Sequence, residues 1–195
     1  MFRLLESIRF ESGQFQHLAY HNRRLNAARA YFMGATSEWD LSREITVPEG
    51  LTGGVYKCRI VYGETLEEVD FVPYVPRPVR TLRLVDADGL DYRFKYADRT
   101  SLEARWTLRE GADDVLLVQQ GCLTDASYAN VALFDGSRWF TPDTYLLNGT
   151  CRQRLLESGV LQEAHITVND LSRYSEMRLI NALLDWEHAP SVYWV

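Results

Sequence analysis

The sequence predicts an α/β protein of the α+β kind, built as two lobes. Three observations lead there. Short runs rich in Val, Ile, Tyr and Phe alternate with segments whose apolar residues recur at helical spacing. Glycine-containing pairs such as Asp135-Gly136 separate neighbouring runs at hairpin distance. The stretch Val72-Pro73-Tyr74-Val75-Pro76-Arg77-Pro78 places three prolines within six residues, which favours an extended connection. The expected division is a small α/β lobe at 1–75, a linker at 76–80 and a larger lobe at 81–195.

In the first lobe, Leu4 to Phe10 reads as a strand ended by Glu11-Ser12-Gly13. From about His17 to Met33, Leu18, His21, Leu25, Ala28 and Phe32 share one face of a helix that Gly34 stops. Thr36-Ser37-Glu38 opens a short second helix, closed by Pro48-Glu49-Gly50. Residues 54–62 and 66–75 flank Gly63-Glu64-Thr65 as a hairpin. In the second lobe a strand at Thr81–Val85 and a turn at Asp88-Gly89 precede a helix from about Arg99 to Glu110. Strands follow at Asp114–Gln119, Asn130–Phe134 and Arg138–Thr141, with turns at Gln120-Gly121 and Asp135-Gly136. Gly149 opens a helix that reaches Ser158. A strand at His165–Val168, a helical piece at Asp170–Tyr174 and a strand at Met177–Asn181 complete the series.

Composition narrows the function classes. The 195 residues carry 21 basic and 27 acidic side chains, a net charge of −6, and are 46% apolar. That is an ordinary soluble globular composition, and the negative balance disfavours nucleic acid as the main partner. No apolar run reaches the roughly 18 residues of a membrane span. Arg3, Glu6 and Arg9 break up the N-terminus, so no secretory signal is expected and a cytoplasmic location is. Cys58, Cys122 and Cys151 are odd in number and lack C-x-x-C spacing, which predicts reduced thiols and no metal site. A small-molecule partner remains.

Of the 21 basic residues only Lys57 and Lys95 are lysines. Lys95 lies among aromatics and cations in Arg93-Phe94-Lys95-Tyr96-Ala97-Asp98-Arg99. Desolvation and like charge there would favour the neutral amine that attacks a carbonyl, although most such lysines are simply on the surface. Lys57 and Arg59 share a strand face, suited to a carboxylate or to solvent. Arg23-Arg24 could clamp a phosphate or cover a solvated helix face. His17 and His21 are read as packed or capping residues. Gly149-Thr150-Cys151 offers a helix N-terminus to an anion, or is plain punctuation. Thr124 to Asn130 is a polar stretch whose ordinary reading is a hairpin loop.

Taken in order, these segments resemble the class IV aminotransferase family, pyridoxal-phosphate enzymes of fold type IV. Leu5-Glu6-Ser7-Ile8-Arg9 resembles its F-E-T-I-R strand, and His21-Asn22-Arg23-Arg24-Leu25 its H-x-x-R-L helix. Lys95-Tyr96-Ala97-Asp98-Arg99 is similar to the K-x-x-N-R of aminodeoxychorismate lyase. Leu123-Thr124-Asp125 through Asn130-Val131 parallels V-T-E-x-x-x-x-N, and Tyr145 to Gln153 the L-x-G-I-T-R-Q helix start. Glu176-Met177 with Ile180-Asn181-Ala182-Leu183 resembles the late segment of the lyase form.

The resemblance implies a two-lobed fold type IV enzyme and roles for individual residues. Lys95 would hold pyridoxal phosphate as a Schiff base and move protons at the substrate's α-carbon. Arg24, Thr150, Cys151, Asn181 and Ala182 would hold the phosphate, and Asp125 would pair with the pyridine nitrogen. Lys57 and Arg59 would face the carboxylate of an amino-acid-like substrate. The resemblance further implies a homodimer acting as an aminodeoxychorismate-type lyase that releases pyruvate. The alternatives are a branched-chain or D-amino-acid aminotransferase and a non-catalytic binder of pyridoxal phosphate or another anionic metabolite. Asp125 stands where the family carries the longer glutamate, and Leu5 where it carries an aromatic. The family's D-R-G-x-x-Y-G-D-G stretch has no counterpart before Leu5.

Overall fold

The computed structural model describes residues 2–51, 53–184 and 186–195. They form two compact units. One ends at Pro76 and takes in Phe94–Asp98; the other comprises Arg77–Arg93 and Arg99–Val195.

The first unit is an antiparallel sheet with helices on one face. Its strands are β1 (Leu4–Glu11), β2 (Gln14–Phe15), β3 (Val55–Tyr62) and β4 (Leu66–Pro73), in the order β2-β1-β3-β4. Helices α1 (Leu18–Met33) and α2 (Leu41–Glu44) lie between β2 and β3 in the chain. Period-two alternation turns Leu4, Ile8, Cys58, Ile60 and Tyr62 into one core, where they meet Leu25 and Ala28 of α1 and Leu41 of α2. Gly34 ends α1 in the left-handed region at φ 61°, its N–H reaching the carbonyl of Ala30. The short helix starts at Leu41, later than the expected Thr36-Ser37-Glu38. Asp40 is its cap, accepting the Ser42 amide through its carboxylate.

The Phe94–Asp98 segment joins this unit through β1. Whereas β2 covers only Phe10 and Glu11, the other end of β1 is covered by the returning segment. The Leu5 amide donates to the Lys95 carbonyl (2.8 Å) and the Ala97 amide to the Arg3 carbonyl (2.8 Å). Phe94 anchors the segment, its ring 4.6 Å from Phe32 and 4.8 Å from Tyr31.

The second unit is a curled sheet. It contains β5 (Thr81–Asp86), β6 (Asp114–Gln119), β7 (Cys122–Ala126), β8 (Asn130–Phe134), β9 (Trp139–Pro142), β10 (Leu161–Ala164), β11 (Glu176–Ile180) and β12 (Ser191–Trp194). The order is β10-β9-β8-β11-β12-β5-β6-β7, and β7 also pairs with β8, so the strands from β8 round to β7 close into a barrel-like ring. Leu82, Leu116, Leu123, Val131, Leu133, Met177 and Leu179 fill it. Each such burial stabilises by about 2 kcal/mol. Helix α3 (Thr100–Trp106) runs on into a 3-10 turn at Thr107–Arg109, together spanning the helix expected from about Arg99 to Glu110. Helix α4 (Thr150–Glu157) packs through Cys151 and Leu155 on Ala132 and Ile180.

Three readings change. The polar stretch after Leu123 is strand β7 as far as Ala126, because Thr124 and Asp125, on opposite faces of the strand, are both buried and find partners there. The strand expected at His165–Val168 lies at Leu161–Ala164, where the chain runs parallel to β9; Val168–Arg173 is a 3-10 helix. β12 was not expected, and it links β11 to β5.

Candidate active site

In the first unit, Glu6 occupies the helix-covered face of β1, between Leu4 and Ile8, and is fully buried. Helix α1 brings two partners one turn apart. Arg24 donates Nε–H to Oε1 (2.8 Å) and Nη2–H to Oε2 (2.5 Å), and His21 Nδ1 lies 2.7 Å from Oε2. Burial alone would raise the Glu6 carboxyl, but the Arg24 charge and the hydrogen bonds from His21 and Arg24 hold it at about 2. The buried His21 imidazole is shifted downward, chiefly by desolvation against the pull of Glu6, with Arg24 and Lys95 adding repulsion. His21 is therefore neutral at pH 7 and donates Nδ1–H to Glu6. Lys95, Arg24, His21 and Glu6 thus share one electrostatic neighbourhood.

Lys57 and Arg59 lie on β3, opposite Arg9 and Ser7 of β1. Arg59 is engaged by acidic residues of β4, with Nη1 at 2.8 Å from Glu68 and 3.7 Å from Asp70. Its positive charge is therefore partly spent within the sheet.

In the second unit, strand register gathers the remaining candidates at one end of the ring. Asp125 of β7 pairs with Asn130 of β8, and Asn130 with Ile180 of β11. Asn181 and Ala182 follow directly, and α4 begins alongside, with Cys151 packed in the cluster that holds Ile180. Asp125 is buried; Oδ1 accepts from Asn130 Nδ2 (2.7 Å) and Oδ2 from the Leu147 amide (2.9 Å). Burial lifts its carboxyl to about 6, against the pull of Leu147, Asn130 and Arg152. It remains mostly ionised at pH 7. Asn181 folds back on itself, Oδ1 accepting the Leu183 (2.9 Å) and Leu184 (3.1 Å) amides.

Gly149 is dictated by contact. A Cβ there would lie 2.0 Å from Asn130 Oδ1. Being glycine, it also gives α4 no side-chain cap. An anion is the natural partner of such a terminus.

Three participants were not singled out from sequence, whereas His21 is packed as expected. Glu6 stood inside a recognised motif, and a charged residue at the buried parity of β1 was the available signal. Asn130 was visible as the end of the T-D-x-x-x-x-N segment. Arg152 had no signal in its spacing. It is buried over the Tyr145 ring (4.1 Å) and donates to the Pro142 carbonyl (3.0 Å) and Glu163 (2.5 Å).

Comparison with known proteins adds to this geometry. The family model described as amino-transferase class IV matches residues 3–189. A Haemophilus influenzae protein of uncharacterised function is 31% identical over 185 residues, covering 94% of this chain and 98% of its own length. The crystal structure of a candidate 4-amino-4-deoxychorismate lyase from Haemophilus somnus 129pt is 33% identical, with a TM-score of 0.84 over 94% of this chain and 97% of that one. A hypothetical aminotransferase of Mycobacterium tuberculosis, solved in a PLP-bound form, shares the fold at 22% identity, with a TM-score of 0.78 over 98% of this chain and 80% of that one.

The residues present fit pyridoxal phosphate. Gly149 starts α4 without a capping side chain, and Asp125 presents a buried carboxylate that is mostly ionised at pH 7. Among the described residues no group of His, Cys, Asp and Glu is placed to hold a metal ion, and no helix is long and apolar enough to cross a membrane.

Proposed function

Because the chain belongs to the class IV aminotransferase family, a family of pyridoxal-phosphate-dependent enzymes, we propose that it is a lyase of the aminodeoxychorismate type, releasing pyruvate from an amino-chorismate substrate. The observation that carries the lyase reading is the 33% identity to the Haemophilus somnus candidate lyase over almost all of both chains. The motif Lys95-Tyr96-Ala97-Asp98-Arg99 supports it.

When bound, pyridoxal phosphate supplies an electron sink for the substrate's α-carbon. The chain's own residues do the rest. Lys95 would hold the cofactor through Nζ, and its amine would take the substrate's α-proton and pass a proton to the departing enolpyruvate, which leaves as pyruvate. Asp125 would pair with the pyridine nitrogen and favour its protonated form. Thr150, Cys151, Asn181 and Ala182 bind the phosphate through amides and hydroxyl. Arg24 adds a guanidinium, oriented through its bonds to Glu6. Lys57, with Arg59, binds the substrate carboxylate. The active form is a homodimer.

The test is an absorbance scan of purified protein with added pyridoxal phosphate, followed by a lactate-dehydrogenase-coupled assay for pyruvate from 4-amino-4-deoxychorismate. Expected are a yellow protein that loses its colour in Lys95→Ala, and pyruvate released in step with aromatic amine. A yellow protein that only exchanges amino groups between amino and keto acids would overturn the lyase reading and keep the cofactor. One that takes up no cofactor would overturn both.

A further inference from the structure

At the Gln120-Gly121 end of the second unit, Cys122 Sγ lies 3.3 Å from His165 Nε2, and His165 Nδ1 lies 3.2 Å from Asp143 Oδ1. Thiol, imidazole and carboxylate form a chain in the order that activates a nucleophile. The carboxylate accepts a hydrogen bond from Nδ1–H in the tautomer this order favours, which leaves Nε2 as the acceptor facing sulfur. The thiol's other contact, the Gln120 carbonyl, is longer at 3.8 Å.

The backbone assembles this chain; chance side-chain rotation is not needed. Gln120 (φ 50°) and Gly121 (φ 78°) both adopt the left-handed region, making the tight turn that starts β7 at Cys122. The Leu123 amide donates to the Ile166 carbonyl (2.8 Å) and the Val168 amide to the Gly121 carbonyl (3.0 Å), so Cys122 is bracketed beside His165. The parallel pair β9/β10 ends with Pro142 opposite Ala164, which sets Asp143 and His165 side by side. The Asp143 amide closes that step on the Ala164 carbonyl (3.0 Å).

Other charges on these elements are engaged elsewhere. Asp170 binds Thr167 and Arg173, and Glu163 binds Arg152. His165 and Asp143 are exposed and Cys122 is half-buried, so a small reagent can reach the sulfur. Cys58 and Cys151 are buried, and burial pushes the Cys58 thiol up to about 12.

We propose that Cys122, His165 and Asp143 form a reactive-thiol modification site that exchanges with low-molecular-weight disulfides. His165 Nε2 takes the thiol proton, and Cys122 sulfur attacks one sulfur of the disulfide. A protein–reagent S–S bond forms as the reagent's S–S bond breaks. The departing thiolate takes the proton from His165, so no further oxidant is required. Cys122 is the nucleophile, and Asp143 is a positioning residue acting through His165. The site is independent of the proposed lyase chemistry.

The experiment treats full-length protein, loaded with pyridoxal phosphate, with oxidised glutathione at pH 7 and follows each cysteine by peptide mass spectrometry. Cys122 should be modified first. His165→Ala, at an exposed position, should slow it by about tenfold or more, and added imidazole should restore part of the rate. In Asp143→Ala the His165 ring ¹⁵N resonances should lose the pattern of an Nδ1-protonated imidazole. Equal Cys122 rates in the unaltered protein and His165→Ala would overturn the proposal, as would earlier modification of Cys58 or Cys151.

Discussion

Glu6 shows how one misplaced-looking charge organises its surroundings. Its native carboxyl titrates at about 2, against an ordinary 4.5. The unfolded chain therefore binds more protons between those values. The ion pair's stabilisation is complete above about pH 4.5 and is lost as pH falls through 2. Glu6→Gln leaves the Arg24 charge buried without its partner and should cost roughly 3 kcal/mol at pH 7. Urea unfolding should show that gap shrinking at pH 3; a gap independent of pH would place the effect elsewhere. Asp125 runs the opposite way, its carboxyl raised to about 6. Pyridoxal phosphate should therefore bind more weakly as pH falls below 6, and Asp125→Asn should remove the part of that fall due to this carboxylate, which a titration by absorbance would reveal. Gly149→Ala should displace Asn130, because its new Cβ would lie 2.0 Å from the amide oxygen. The expected result is a loss of about 1–3 kcal/mol in stability together with weaker cofactor binding, measured by thermal melts with and without pyridoxal phosphate.

Elements were legible where turn chemistry and apolar period agreed. Gly34, the Gly63-Glu64-Thr65 turn and the Asp135-Gly136 pair each end or join elements near where the sequence placed them. Legibility failed where tertiary pairing outweighed propensity. Leu161-Gln162-Glu163-Ala164 has little β-preference yet pairs with β9, while the strand-like His165–Val168 crosses toward β7 and turns into a 3-10 helix. Motif spacing singled out Lys95, Asp125 and Gly149 as candidates, but could not state that Arg24 is bonded to Glu6 or that Arg59 is paired with β4. Those depend on which strand face is covered, and no local pattern states it. The Phe94–Asp98 segment is likewise an element only through β1. Ala97→Pro removes the amide that donates to Arg3 (2.8 Å). It should cost about 1 kcal/mol and lower the yield of cofactor fixed to Lys95 by borohydride, read by mass spectrometry. Unchanged labelling would show that the amide does not govern Lys95.

Across the whole molecule, a net charge of −6 does not disfavour the proposed phosphate binding, since an anion responds to the local field and not to the sum over the surface. The ring of the second unit has a further consequence. Its seam, where β7 meets β8, is registered at Asp125 opposite Asn130. The pair proposed to receive the pyridine nitrogen is therefore also the latch of the barrel. A ligand that binds only the closed latch stabilises closure by its own binding free energy. Hydrogen exchange at residues 123–131 should accordingly slow when pyridoxal phosphate is added, while β11, flanked by β8 and β12 away from the seam, should change little. Loss of cofactor then becomes a mechanical event as well as a chemical one: the clasp stays formed, but less holds it shut.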